Sequence, residues 1–239
     1  MSTPQAEKIF AVIAGVDKRL RQLSKVVSTP LDDEMAELRI RLRDNVEQLL
    51  LVDIALAQKK SIENIMWRRV FYQPIEEYRR LLRKFPSEDV VRKSPEYRGA
   101  RQDLRQFLFS ASCFFTRMLR RIVERYELTD LMLEDGHLAA NCILGENPPS
   151  SAAATSPVPE TLRQRAYQTV YRCYIYLGDL ARYSEMHSDR ARKQWAAATD
   201  LYGKALRAYP SDGNAYNQLA VLSTYINDEL SGVYYYYCR

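Results

Sequence analysis

One spacing of small and aromatic residues occurs twice in the last third of the chain, and it leaves few folds open. Tyr174, Leu177 and Gly178 sit on one predicted helix; Ala198, Tyr202, Ala205 and Pro210 sit on the next. Beyond Pro210 the pattern restarts in register with Tyr216, Leu219 and Ala220, and Gly232 and Tyr236 continue it. Small residues let two helix backbones approach closely, and the aromatic at the matching position fills the space between them. One such match arises easily; two in register point to paired antiparallel helices stacked side by side. The two halves of the first pair are separated by about eight extra residues, around 184–191, so a longer connection is expected there.

This is the tetratricopeptide pattern, and the rest of the chain is equally helical in character. The 239 residues include only 8 glycines, while Leu, Ala, Arg, Glu and Gln are plentiful. The fold class read from this is all-α. A helix is predicted over 34–60, where Leu38, Leu42, Val46, Leu49, Leu50 and Ile54 recur at three- and four-residue steps. Arg39, Arg43, Glu47 and Asp53 fall on its other faces. Asp32 and Asp33 are its starters, because a carboxylate can accept the free amides of a first turn. A second helix is predicted over about 61–85 with Ile62, Ile65, Met66, Val70 and Phe71 as its apolar stripe, Trp67 read as core, and a kink or break at Pro74, which lacks an amide for the Val70 carbonyl. A third runs from about 98 to 126 on Leu104, Phe107, Leu108, Ala111, Phe114, Phe115, Met118, Leu119 and Ile122. Residues 145–160, with four prolines and no apolar period, read as a flexible linker or loop. The organisation expected is therefore an N-terminal helical part over 1–144, the linker at 145–160, and repeats over 161–239. The repeats are expected to be truncated at the C-terminus, because the stack ends on Tyr234–Tyr237 without a polar cap.

Charge and chemistry narrow the function classes. Residues 68–125 carry 15 basic and 7 acidic groups, against a net +5 for the whole chain. That excess is either a solvated set of helix faces or a positive surface that meets phosphate on a peptide or nucleic acid. No apolar run approaches the roughly 18 residues of a membrane helix, and no membrane partner is expected. The four cysteines are scattered, which suits reduced thiols rather than a zinc site or a disulfide framework. His137 and His187 have no ligand-spaced neighbour, so no metal site is expected. No phosphate-cradling glycine loop exists. Adjacent acidic pairs such as Glu76 and Glu77 diverge on a helix. The expectation is a binding protein with no catalytic residues and no cofactor.

Four segments carry a resemblance: Asn45–Leu50 (NVEQLL), Met66–Gln73 (MWRRVFYQ), Tyr176–Tyr183 (YLGDLARY) and Pro210–Ala220 (PSDGNAYNQLA). The last is similar to the P-x-x-G-x-x-Y-N-Q-L-A signature of the SMG five, six and seven proteins of nonsense-mediated mRNA decay. Those proteins are related to the yeast telomerase subunit named for ever shorter telomeres. The Trp67–Gln73 and Tyr234–Arg239 segments look most like the SMG-six branch. The resemblance implies a 14-3-3-like helical bundle continuing into tetratricopeptide helices. It also implies an adaptor that binds a phosphorylated up-frameshift-type RNA helicase, in the cytoplasm and nucleus. A paralogue heterodimer and telomeric DNA or telomerase RNA are further partners it implies; no nuclease activity is carried over with it. The family's phosphate-binding Arg maps to Arg182, followed by Tyr183. Where the SMG-seven branch has a phosphate-binding Lys, this sequence has Tyr72.

The residues themselves admit a phosphate grip. Positions 68, 72 and 79 fall near one helix face, so Arg68, Tyr72 and Arg79 can converge if Pro74 only kinks the helix. Arg offers a planar two-point fork to phosphate oxygens, and a tyrosine hydroxyl adds a third bond. The plainer readings are a solvated face for Arg68 and Arg79, and an ion pair with Asp179 for Arg182. Single-stranded nucleic acid is the alternative ligand, although the aromatics of the basic segment sit at core spacing. A helical scaffold with an empty pocket is the third alternative.

Overall fold

The computed structural model describes residues 3–26, 32–85, 94–128, 131 and 157–239. Every element among them is helical, with no strand. The chain divides into two compact units, Met1–Leu108 and Phe109–Arg239.

The first unit opens with α1 (Pro4–Leu23), a helix for which the sequence analysis has no counterpart. Its signals are nonetheless present: the Thr3 hydroxyl accepts the Ala6 amide at 3.2 Å, Pro4 takes the first turn, and Ile9, Ile13, Val16 and Leu20 form a buried stripe. That stripe packs on α2 (Asp33–Val52), which starts as expected, with the Asp32 carboxylate accepting the Met35 amide at 2.9 Å.

The single helix predicted over 34–60 is two. Asp53 closes α2 and caps α3 (Ile54–Lys59) by accepting the Leu56 amide at 2.9 Å. A carboxylate that can serve as an N-cap offers the backbone an alternative to continuing the helix. Ser61 then adopts a left-handed conformation, and α4 (Ile62–Met66) begins.

At Pro74 the helix neither breaks nor simply kinks. A π-helical turn spans Trp67–Tyr72, in which the Gln73 amide reaches back five residues to the Arg68 carbonyl, and α5 (Gln73–Arg83) continues without a gap. Proline has no amide to give the carbonyl four residues back and crowds it with its ring. A wider turn just upstream absorbs that mismatch. Trp67 is only half-buried, stacked on Phe71 at 6.1 Å.

Two charges assigned by periodicity to outer faces are buried. Arg39 (6% exposed) pairs with Glu77 at 3.4 Å, and Glu47 is also inside. Asp17, on α1, is buried as well; it accepts Arg69 Nε at 3.0 Å and also pairs with Arg21. Ion pairs of this kind place hydrophilic residues inside at no cost to the apolar pattern around them.

The helix α6 (Pro95–Arg125) crosses from the first unit to the second. Its expected stripe from Leu104 to Ile122 is buried, apart from Phe107, which is half-buried and packs on Tyr78. In the second unit, Phe115 meets Tyr176 of α7 (Glu160–Met186) at 5.3 Å. Then come α8 (Ala196–Ala208), α9 (Asn214–Ile226) and α10 (Glu229–Cys238), each packed on its predecessor. The long connection expected inside the first pair is present as residues 187–195. The part of the 145–160 linker before residue 157 lies outside the described residues, as do His137 and Cys142. Cys173 and Cys238 are free thiols, in line with the expectation of reduced cysteines.

Gly178 shows why the repeat spacing exists. A Cβ placed on it would lie 2.4 Å from the ring of Tyr202, which is fully buried. The loop between α8 and α9 is pinned in the same unit: the Tyr171 hydroxyl lies 3.1 Å from the Asp212 carbonyl and carboxylate, and accepts the Ala215 amide at 2.9 Å.

Candidate functional site

Arg182 sits near the C-terminal end of α7, a helix whose inner face is buried along most of its length. Its segment, Leu177-Gly178-Asp179-Leu180-Ala181-Arg182-Tyr183, brings two groups to the guanidinium from the same helix, and α8 brings a third. Arg182 Nη2 donates to Asp179 Oδ1 at 2.9 Å. The Tyr202 hydroxyl donates to that same oxygen at 2.8 Å, and Arg182 Nε reaches the Tyr202 oxygen at 3.4 Å. The guanidinium carbon lies 4.7 Å from the centre of the Tyr183 ring, a cation–π contact. The ion pair with Asp179 weighed at the sequence level is thus the arrangement found. A position five residues beyond Leu177 does turn away from the buried stripe, but the side chain is only 11% exposed, because Tyr202 and Tyr183 close over it.

Burial shapes the electrostatics of this group. It pushes the Asp179 carboxyl above the usual carboxylate range, and Arg182 and Tyr202 pull it back only in part. Burial also pushes the Tyr202 phenol well above its ordinary value, and the Asp179 carboxylate beside it adds to the shift. Burial works against the charge of Arg182, and Tyr202 and Asp179 outweigh it, so the guanidinium stays charged. Its Nη1 is bonded to no described residue.

The other sequence-derived site residues belong to the first unit. Arg68 is exposed on the π-helical turn. Tyr72, 40% exposed, lines a cleft of about 710 Å³ with Lys25, Glu76, Glu77, Arg80 and Lys84. Arg79 is turned onto Glu76, which also pairs with Arg83 at 3.5 Å. Both acidic residues of the cleft are therefore engaged by arginines, since Glu77 holds Arg39. Among the described residues no cluster of His, Cys, Asp and Glu is arranged to hold a metal, and no helix is long and apolar enough to cross a membrane.

Sequence reasoning missed the part played by Tyr202. Its ring was legible as the repeat aromatic; its hydroxyl, which ties α8 to the Asp179–Arg182 pair, leaves no trace in spacing. The only available signal was that a buried tyrosine needs a partner for its hydroxyl.

Comparison with known proteins joins these observations. Over 206 residues the chain is 31% identical to the zebrafish (Danio rerio) telomerase-binding protein EST1A, covering 85% of this chain and 12% of that protein. It is 26% identical to the Arabidopsis thaliana nonsense-mediated mRNA decay factor SMG7, covering 99% of this chain and 22% of that protein. The chain thus spans less than a quarter of either relative. A chain of the C. elegans SMG5–SMG7 complex shares its fold, with a TM-score of 0.57 at 16% identity over 98% of this chain and 47% of that one. A family model described as Est1 DNA/RNA binding domain matches residues 198–239, the last three helices. The model for the telomerase activating protein Est1 matches residues 61–188, more than half of the chain and the whole stretch from the π-helical turn to Arg182. The chain belongs to the Est1 family, the group that also holds the SMG proteins of nonsense-mediated mRNA decay.

Proposed function

We propose that the chain is a phosphopeptide-binding adaptor of nonsense-mediated mRNA decay, with Arg182 as the residue that holds the phosphate of an up-frameshift-type RNA helicase. The observation that carries this reading is a charged guanidinium fixed on a buried helix, with Nη1 uncommitted, in the Leu-Gly-Asp-x-x-Arg-Tyr segment where the family resemblance puts the phosphate-binding Arg. A fixed fork loses little freedom on gripping an anion, so each bond to phosphate counts in full. Tyr183 supports the guanidinium from below through its ring. Arg68, Tyr72 and Arg79, in the first unit, are separate candidate anion contacts, and Arg79 must leave Glu76 to serve as one. In this reading the protein works in the cytoplasm and the nucleus, without catalytic chemistry, and pairs with a paralogue as the SMG5–SMG7 complex does.

Calorimetry with one helicase peptide in phosphorylated and plain forms tests it. The phosphorylated form binds at least about tenfold more tightly, the worth of one good charge-assisted grip. Arg182→Lys, which keeps a positive charge beside Asp179 but removes the fork, weakens the phosphorylated form several-fold and leaves the plain form unchanged. Equal binding of the two peptide forms refutes the reading.

The description of residues 198–239 as DNA/RNA-binding favours a second reading, single-stranded nucleic acid at the repeats. There Trp195 and Tyr225 stack at 5.0 Å, with Tyr225 42% exposed. Steep loss of affinity with salt distinguishes it from the peptide reading.

A further inference from the structure

We propose that a groove along α1, in the first unit, docks an acidic amphipathic helix of a partner protein. This goes beyond the phosphate reading of Arg182 and does not depend on it. The groove has a volume of about 470 Å³ and lies between one face of α1 and the stretch from Lys60 to Ile65. Its floor is apolar: Ile13 is fully buried, Phe10 and Ile65 are half-buried, and Ala14 is exposed. Its rim is basic, with Lys18, Arg21 and Lys25 on and just beyond α1 and Lys60 opposite. The one carboxylate among its described lining residues is Asp17, which is already taken by Arg69 and Arg21. Lys18, Lys25 and Lys60 have no carboxylate partner among the described residues. Residues 1–67 carry ten basic and ten acidic groups, so this stretch is neutral on average. Folding gathers three unpaired ammonium groups around one apolar floor, a local charge that the average conceals.

Charge and shape together select the occupant. A cleft rimmed by one sign of charge focuses its field and attracts acidic groups. An apolar floor open to water is stabilised when aliphatic side chains cover it. The ligand must offer both. Phe10, Ala14, Lys18 and Arg21 recur at three- and four-residue steps, so the groove follows one helix face. From Phe10 to Arg21 that face rises about 17 Å. A helix of about three turns matches this length, with apolar side chains on the floor and carboxylates along its flanks. Ala14 presents a single methyl group at the floor, which lets the partner come close. Single-stranded nucleic acid supplies the negative charge but stacks its bases on open aromatic faces. The aromatic ring lining this groove, Phe10, has the Lys60 ammonium over it at 4.7 Å. A bilayer takes up apolar side chains that protrude from a helix, whereas this floor is recessed.

The test pans a phage-displayed library of random peptides, each about four helical turns long, against the whole chain and against the double variant Lys18→Glu, Lys25→Glu in parallel. Both lysines are exposed, so the variant keeps the fold. The wild type enriches peptides with aliphatic residues at three- and four-residue steps and a net negative charge; the variant does not. The best of these peptides is then synthesised, labelled and titrated by fluorescence anisotropy. Charge reversal at the two lysines weakens it at least about tenfold, and a copy with lysines in place of its acids binds the variant better than the wild type. Ala14→Glu, an exposed change that blocks the floor, weakens it by a similar factor. In methyl spectra of the wild type, the peptide shifts the Ile65 signal. An enriched set without acidic bias, the same set on both proteins, or an unmoved Ile65 signal overturns the proposal. So does binding of oligothymidine or phosphatidylserine vesicles that the double variant abolishes while no peptide is enriched. Arg182→Lys leaves the peptide affinity unchanged. If it weakens the peptide as much as charge reversal does, the peptide is read at the phosphate site, and the groove proposal falls while the reading of Arg182 stands. Failure of the phosphopeptide test, in turn, leaves the groove result intact.

Discussion

At the scale of single residues, the second unit turns on the fit between Gly178 and Tyr202. The glycine is needed for space rather than for an unusual backbone angle. It lies within a helix, and the atoms nearest its missing Cβ are three carbons of the Tyr202 ring, at 2.4 to 2.9 Å. That ring cannot swing aside, because it is fully buried and its hydroxyl is tied to Asp179. Gly178→Ala gains helix propensity, about 1 kcal/mol in an exposed helix. Overpacking a closed core costs about 1 to 3 kcal/mol. The clash is severe enough that the second effect wins, and chemical denaturation should show a net loss of about 1 kcal/mol or more. A variant as stable as the wild type would mean that α7 and α8 separate easily. Because any such separation moves the Tyr202 hydroxyl, the same substitution also loosens Arg182. The packing residue and the candidate ligand residue are thus coupled through one side chain.

At the scale of elements, the segment from Ile62 to Arg83 shows how a chain carries a proline through a continuous helical path. In a regular α-helix an interior proline costs about 3 kcal/mol. Here the π-helical turn at Trp67–Tyr72 has already rerouted the Gln73 amide to Arg68, and Pro74 occupies the first turn of α5, where a missing amide matters least. Pro74→Ala should therefore recover far less than that amount, a change within about 1 kcal/mol by urea denaturation. A gain near 3 kcal/mol would show that the turn does not absorb the misfit. The π turn also explains why Arg68, Tyr72 and Arg79 do not present one uniform face. Face arithmetic assumes 3.6 residues per turn throughout, and a wider turn changes the phase between the residues before it and those after it. Arg68 and Tyr72 remain exposed, whereas Arg79 is drawn onto Glu76.

At the scale of the whole molecule, the features legible in the sequence were those that depend on period and volume. The all-α class, the paired helices of the repeat, and the stripe of α6 all derive from apolar spacing, and each is present. The features that were not legible depend on single polar atoms. Asp53 splits one helix into two by accepting one amide; Arg39 and Asp17 are buried because each meets an opposite charge from distant sequence; Tyr202 joins Arg182 through a hydroxyl. Such choices are made by tertiary partners that a local pattern does not contain. They also make the molecule alkali-sensitive. Burial pushes the phenols of Tyr78, Tyr171 and Tyr202 above the ordinary tyrosine value, with neighbouring carboxylates of Asp103, Asp212 and Asp179 adding to it. In the unfolded chain the same phenols ionise near pH 10. Above that pH the unfolded state releases protons that the folded state keeps, so the folded state is progressively disfavoured. Below about pH 10 their contribution is fully present; it is lost as pH rises toward the elevated folded values, at up to about 1.4 kcal/mol per pH unit for each phenol. A spectrophotometric titration should accordingly show a late wave among the 17 tyrosines, in which Tyr78, Tyr171 and Tyr202 ionise together with loss of helical circular dichroism. A single wave near pH 10 with the helical signal intact would mean that the buried phenols are open to solvent, and that the Tyr202–Asp179–Arg182 cluster is looser than its distances imply.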